Sequence, residues 1–73
     1  MAKHHVIDAT GDTVHEFDPK NAAELAEAEK RFMELTGVGF TAAERMGPGQ
    51  SRVVRTFDPT AEETLFVPRL RGG

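Results

Sequence analysis

Cysteine is absent from the 73 residues of this chain. The protein therefore has no disulfide, no cysteine nucleophile and no thiolate metal site. The absence of cysteine fits a reducing compartment. A chain of this length is expected to form one domain with a modest core and a stability of only a few kcal/mol.

A long apolar run is also absent. The first residues, Met1–His5, are followed by acidic and polar residues rather than by the apolar core of a signal peptide. We therefore expect a cytoplasmic protein that does not associate with membranes.

The chain has no excess of positive charge. Its net charge is −3, which has the wrong sign for a nucleic-acid binder. The two halves differ, because Met1–Thr36 carries eight acids and four bases, whereas Gly37–Gly73 carries four acids and five arginines. Two of these arginines, Arg69 and Arg71, lie in the last five residues. Either they dock into an acidic groove on a partner, or they only keep the tail soluble.

The N-terminal residues predict a β-hairpin. His4–Ala9 and Thr13–Phe17 have the composition of two short strands, and Thr10-Gly11-Asp12 between them is typical of a tight turn. Asp18-Pro19 ends the second strand, since proline cannot donate a hydrogen bond to a sheet.

The next residues predict a helix from Ala22 to about Leu35. Asn21 is the expected N-cap, with Glu24 three residues later as in a capping box. Gly37 or Gly39 is expected to stop the helix. The apolar residues fall at helical spacing and form one stripe, which Ala22 and Met33 are expected to widen. The stripe consists of Leu25, Ala28, Phe32 and Leu35.

The remaining residues predict three more strands. Phe40–Met46 is read as a strand, with a continued helix as the alternative, and Gly47–Gln50 is a strong turn signal. A second Phe-Asp-Pro, Phe57-Asp58-Pro59, echoes Phe17-Asp18-Pro19 and indicates the same strand end and capped turn used twice. The other predicted elements are a strand Ser51–Phe57, one helical turn Thr60–Glu63 and a strand Thr64–Val67 closed by Pro68.

One helix must bury its apolar stripe, and only a sheet formed by the other elements is large enough to cover it. We therefore predict an α+β fold in the order strand, strand, helix, strand, strand, short turn, strand. The sheet is mixed and packs on the one helix. The last strand is expected to cross to the centre, parallel to the first.

This arrangement resembles the β-grasp fold of ubiquitin and its relatives. Ala9–Thr13 is similar to ubiquitin's first hairpin turn, and Phe17–Asn21 resembles the acidic-proline entry into its helix. Glu63-Thr64-Leu65 and Arg69-Leu70-Arg71-Gly72-Gly73 resemble its C-terminus, and the last five residues are identical to it. The resemblance implies a β-grasp domain over residues 1–67 and an extended, flexible tail over residues 68–73.

The sequence also departs from ubiquitin. It has no tyrosine and only three lysines. Phe40–Met46 contains alanines where ubiquitin has part of its apolar recognition patch, and Pro68 stands where ubiquitin has an aliphatic residue. These departures favour a bacterial or phage-encoded relative, of the kind found in antiphage defence operons.

The resemblance implies a protein modifier rather than an enzyme. A partner activating enzyme would adenylate the Gly73 carboxylate with ATP, a conjugating enzyme would carry it as a thioester, and a target amine would attack it. A deconjugating protease would reverse the linkage. Arg69, Leu70, Arg71 and Gly72 would be recognised by the activating enzyme, and no cofactor of the chain's own is implied. The possible acceptor lysines for chain formation are Lys3, Lys20 and Lys30.

Two other functions remain open. A sulfur carrier also ends in Gly-Gly, but its carboxylate becomes a thiocarboxylate. The two arginines of the tail argue against this function, because such carriers do not need arginines there for recognition by their activating enzyme. A non-covalent binding module is the third possibility. His4, His5 and His15 match no metal-ligand spacing, so we expect surface or edge histidines and no metal site.

Overall fold

The computed structural model describes residues 1–68 as one helix and a mixed five-stranded sheet. The small α+β class predicted from the sequence is therefore confirmed. The elements are β1 (Ala2–Asp8), β2 (Gly11–Phe17), α1 (Ala22–Gly37), β3 (Phe40–Gly47), β4 (Gln50–Val54) and β5 (Glu63–Pro68).

The strand order across the sheet is β2-β1-β5-β3-β4. The last strand, β5, therefore occupies the centre, parallel to β1 and antiparallel to β3. The pairs β1–β2 and β3–β4 are antiparallel. Helix α1 covers one face of this sheet, which we call the inner face, and no element among residues 1–68 covers the opposite, outer face.

The hairpin turn forms where glycine is needed. Gly11 has φ of 132°, which side-chain-bearing residues rarely adopt. Asp8 Oδ1 accepts hydrogen bonds from the backbone N of Thr10, at 2.8 Å, and from its hydroxyl. These bonds, the hydroxyl first, lower the pKa of Asp8 below its ordinary value. Strand β1 begins at Ala2, two residues earlier than predicted.

The start of α1 is as predicted. Asn21 Oδ1 accepts a hydrogen bond from Glu24 N at 3.1 Å, and Glu24 Oε1 accepts one from Asp18 N at 2.8 Å. The reciprocal bond therefore reaches Asp18 instead of the cap residue's own N–H, because Asn21 N already donates to Asp18 O. The helix ends at Gly37, where Val38 N donates to the carbonyls of Glu34 and Leu35.

The predicted helical stripe faces the core, but its width was overestimated. Phe32 packs with Val6, Ala42 and Phe66, and Ala28 packs with Ala2 and Phe17. Leu25 and Leu35 are partly buried against these two clusters, and Phe57 packs against both. Met33 was expected in the core and is 65 % exposed; Ala22 is exposed as well. Both lie roughly 100° or more from the stripe's centre, at 100° per residue.

Two further predictions in the second half were wrong. Strand β4 ends at Val54, not Phe57, because the chain bends at Arg55-Thr56 and turns Phe57 onto the core. The predicted helical turn at Thr60–Glu63 is a β-turn at Asp58–Ala61, closed by a bond from Ala61 N to Asp58 O at 3.2 Å. Glu63 already belongs to β5. The alternative of a helix continued through Phe40–Met46 is excluded, since this segment is β3.

Candidate functional site

The predicted conjugation site begins where β5 ends. Arg69, Leu70, Arg71, Gly72 and Gly73 lie outside the described residues. The structure describes their attachment point, Pro68, which pairs with Phe40 of β3. Pro68 is thus the last residue of the central strand, one position beyond the predicted end of the domain.

Strand β5 occupies the centre of the sheet. It pairs on both sides, with β1 and with β3. Phe66 is fully buried and Thr64 is 6 % exposed on the inner face. The pairing with β1 ends at Phe66, and Pro68 is exposed and pairs only with β3. A segment attached to β5 therefore starts from an exposed position held by one neighbouring strand.

The three predicted acceptor lysines are all exposed, and they lie far apart in the sequence and on different elements. Lys3 is on β1, Lys20 is in the turn before α1, and Lys30 is on α1. Within residues 1–68 none of them forms an ion pair. All three side chains are therefore accessible.

The outer face of the sheet combines apolar side chains with one ion pair and a neighbouring histidine that contacts two carboxylates. Arg45 Nε lies 3.0 Å from Glu63 Oε1, and His5 lies between Glu63 and Asp12, with Nε2 3.3 Å from Asp12 Oδ2. By strand alternation the same face carries apolar residues that are partly or mostly exposed. These are Ile7, Val14, Ala43, Val53, Leu65 and Val67.

His4 is buried, contrary to the prediction of a surface or edge histidine. It is 1 % exposed on the inner face. Its ring meets those of Phe17, Phe57 and Phe66 edge-on, at centroid distances of 5.0, 6.0 and 4.9 Å. Burial, followed by the charges of Arg31 and His15, lowers the pKa of His4 to about 4. Arg31 Nη1 lies 3.5 Å from Nδ1, where a neutral ring accepts the hydrogen bond.

The other two histidines are partly exposed, in line with the expectation. His5 lies beside Asp12 and Glu63 on the outer face, and His15 lies on the edge strand β2. Burial and the charge of Arg31 lower the pKa of His15. Residues 1–68 contain no group of three or more histidine, aspartate or glutamate side chains able to hold a metal.

A buried acid on β3 is fully paired. Glu44 is 5 % exposed, and its Oε1 accepts a hydrogen bond from Arg52 Nη2 of β4 at 3.1 Å. Among residues 1–68 no buried side-chain polar atom lacks a hydrogen-bond partner. The inner face therefore offers no unsatisfied group that marks a ligand site. No helix in this part of the chain is long and apolar enough to span a membrane.

Comparisons with protein-family models, with curated proteins and with solved structures found no match for the chain.

Two features of the structure were not predicted from the sequence. One is the aromatic enclosure of His4, and the other is a recess beside β4, next to Arg55. A signal for the second was present, because Gln50–Thr56 contains two arginines and no acid in an acidic chain. The sequence contains no signal for the burial of His4. Because β1 carries apolar residues on both of its faces, the pattern does not show which face is buried.

Proposed function

We propose that this chain is a ubiquitin-like modifier of the β-grasp class, joined to target amines through the carboxylate of Gly73. The observation that carries the proposal is the sequence Arg69-Leu70-Arg71-Gly72-Gly73, which comes directly after the central strand β5. The strand order, with β5 parallel to β1 and one helix on one face, is compatible with a β-grasp fold and supports the same reading.

The tail composition suits acyl transfer. Gly73 has no side chain to crowd an attacked carbonyl, and Gly72 allows an extended backbone to lie in a channel too narrow for a Cβ. From Arg69 to Gly73 an extended chain reaches about 17 Å, so the carboxylate can enter a partner's active site. Arg69 and Arg71 supply guanidinium groups for carboxylates of the activating enzyme, and Leu70 supplies an apolar contact.

The reaction proceeds in three exchanges, all performed by partner enzymes. The Gly73 carboxylate attacks the α-phosphate of ATP, forming an acyl-adenylate and releasing pyrophosphate. An enzyme thiolate then displaces AMP and forms a thioester. A target amine displaces the thiol, which leaves with a proton, and an isopeptide bond results. The chain contributes the acyl group and the recognition surface and supplies no catalytic residue.

The same resemblance supports a bacterial, ubiquitination-like system of the antiphage defence type, and we propose that it acts in the cytoplasm. The partners are an activating enzyme, a conjugating enzyme, a deconjugating protease and the target proteins. Lys3, Lys20 and Lys30 are the positions at which the chain itself would accept a second copy.

The proposal is tested with an N-terminally tagged chain ending at Gly73, expressed in its native cells and recovered under denaturing conditions. We expect tagged bands of higher mass that survive denaturation and disappear when Gly73 is deleted. A matched variant with Lys3, Lys20 and Lys30 changed to arginine keeps Gly73, so it should retain single target adducts. Identical adducts from the Gly73 deletion would overturn the proposal.

Intact mass separates the sulfur carrier from the modifier. Conversion of the carboxylate to a thiocarboxylate replaces one oxygen by sulfur in the free protein, whereas conjugation adds the mass of a target. A free chain that carries the sulfur and forms no adducts would assign the carrier function.

A further inference from the structure

Strand β4 forms one edge of the sheet and stops short of its neighbour. Its last residue, Val54, lies opposite Ala42, while β3 extends further and pairs Phe40 and Thr41 with β5. Within residues 1–68 no strand lies on the other side of Phe40 and Thr41. The chain bends away at Arg55, which leaves a cavity of about 320 Å³ at the end of the sheet.

A second cavity adjoins the first. It has a volume of about 360 Å³ and lies between α1 and the segment after β4, against Phe32, Met33 and Phe57. Thr36 and Arg55 line both cavities. We call the two cavities together with the open edge of β4 the β4 groove. Each cavity has apolar lining residues, and Arg55 is the arginine that lines both.

The charge of the β4 groove differs from that of the rest of the protein. Residues 1–68 carry twelve acids and seven bases, but Gln50–Thr56 carries Arg52 and Arg55 and no acid. Arg52 is paired with Glu44, whereas Arg55 is exposed and forms no ion pair within residues 1–68. Glu29 of α1 is the one acid among the residues that line these two cavities.

The opposite edge of the sheet has the reverse character. Strand β2 carries Asp12 and Glu16 and no lysine or arginine. A peptide that adds to a sheet edge is held by backbone hydrogen bonds and selected by side-chain pockets and charge. An acidic segment is therefore repelled at β2 and attracted at β4.

We propose that the β4 groove binds an extended segment of a partner protein in which apolar residues alternate with acidic ones. The segment adds as a strand beside β4 and continues across the position next to Thr41. An apolar side chain fills the cavity at Phe40, and a carboxylate of the segment pairs with Arg55. This interaction is non-covalent and does not require Gly73.

The test uses the ¹⁵N-labelled protein and a short synthetic peptide of alternating valine and aspartate. Amide chemical shifts are followed as the peptide is added. We expect the largest changes at Ser51–Arg55 and at Phe40 and Thr41, with the β2 amides unaffected. Peptides with lysine in place of aspartate, or with the same residues grouped in blocks, should bind at least about tenfold more weakly.

Two protein variants complete the test. Arg55→Glu should weaken binding by about tenfold or more, since it replaces attraction by repulsion. Lys20→Glu makes the same change in net charge far from the groove along the chain and should leave binding within about twofold. Both sites are exposed, so dispersed amide spectra should show that both variants fold.

Shift changes at β2, equal losses in the two variants, or no binding by the alternating peptide would overturn the proposal. A rise in molecular mass with protein concentration that is abolished by Arg55→Glu would assign the groove to a second copy of the chain instead. Deletion of Gly73 should leave peptide binding unchanged, so a failure of the conjugation proposal is distinguishable from a failure of this one.

Discussion

The two Phe-Asp-Pro segments have the same local structure and lead into different elements. In each, the aspartate Oδ1 accepts the backbone N–H two residues on: Lys20 N to Asp18 and Thr60 N to Asp58, both at 2.9 Å. In each, the residue three positions after the aspartate donates to its carbonyl. Both phenylalanines turn onto the inner face and touch the ring of His4.

The difference lies in the residues downstream of each turn. After the first copy, Asn21 and Glu24 cap a helix whose apolar residues recur at helical spacing. After the second, Glu63–Pro68 is rich in β-branched and aromatic residues and enters the centre of the sheet as β5. In both copies the turn therefore follows a phenylalanine that packs on the core, directly at the end of β2 in the first copy and three residues after the end of β4 in the second. The downstream residues decide which element comes next.

The largest expected effect separates the two phenylalanines. Phe17 is 4 % exposed, whereas Phe57 is only partly buried. Phe17→Ala should lower the free energy of unfolding by about 3–4 kcal/mol and Phe57→Ala by about 2 kcal/mol. Urea unfolding followed by far-UV circular dichroism measures both, since the chain has no tryptophan or tyrosine. If Phe17→Ala does not fold, the pair Phe17→Leu and Phe57→Leu provides the comparison, and equal losses would contradict it.

The second prediction concerns His4, which both segments enclose. In the unfolded chain a histidine binds a proton below about pH 6.5, but the folded protein keeps His4 neutral down to a pKa of about 4. The free energy of unfolding should therefore fall by about 3 kcal/mol as the pH drops from 6.5 to 4. The lowered pKa of His15 acts in the same direction.

His4→Phe should remove most of this pH dependence, and His4→Leu serves if the larger ring does not fit. His5→Asn, on the outer face, should keep it because His4 is still present. Urea unfolding at several pH values between 4 and 7 measures the slope. An unchanged slope in both His4 variants would show that His4 does not control acid stability.

The sequence predicted the order of elements because local patterns were strong. The cap at Asn21, the stripe through Phe32 and the turns at Gly11 and Gly47–Gln50 all had their expected structures. It did not predict the faces of β1, where Ala2, His4 and Val6 alternate with Lys3, His5 and Ile7 and both sets contain apolar and polar members. The early end of β4 also depends on a tertiary contact, the packing of Phe57 against the core.

For the candidate sites, sequence and structure contribute differently than they do for the fold. The tail chemistry comes entirely from residues 69–73, which lie outside the described part of the chain. The β4 groove could not be predicted, because it depends on β3 being longer than β4 and on where α1 ends, and both result from packing. Only its basic character was readable from Arg52 and Arg55.

A smaller difference in stability is expected between variants of Asn21 and Thr60, which follow Asp18 and Asp58. Asn21→Ala removes the cap of the 16-residue helix and should cost about 1 kcal/mol of stability. Thr60→Ala removes one hydroxyl from an exposed turn and should cost less. The same urea titration measures both, and a Thr60→Ala loss as large as the Asn21→Ala loss would contradict the distinction between a helix cap and an isolated turn.

The smallest expected effect is a change in the pKa of Asp58. The Thr60 hydroxyl, with the Thr60 backbone N–H, lowers the pKa of Asp58 below its ordinary value. Thr60→Ala should therefore raise the pKa of Asp58 towards that value, whereas Lys20→Ala at the matching position of the first copy should leave Asp58 unchanged. Side-chain carboxyl resonances followed by NMR against pH report the shift, and an unaltered Asp58 in Thr60→Ala would refute the assignment.

The central claim is that Gly73 provides the acyl group, and the linkage itself tests it most directly. Trypsin cuts after Arg71, so a target joined through Gly73 keeps Gly72-Gly73 on the modified lysine. Mass spectrometry of digested adducts should find lysine peptides carrying this Gly-Gly remnant with the intact chain and none with the Gly73 deletion. Remnants that persist without Gly73, or adducts joined through any other residue of the chain, would contradict the account.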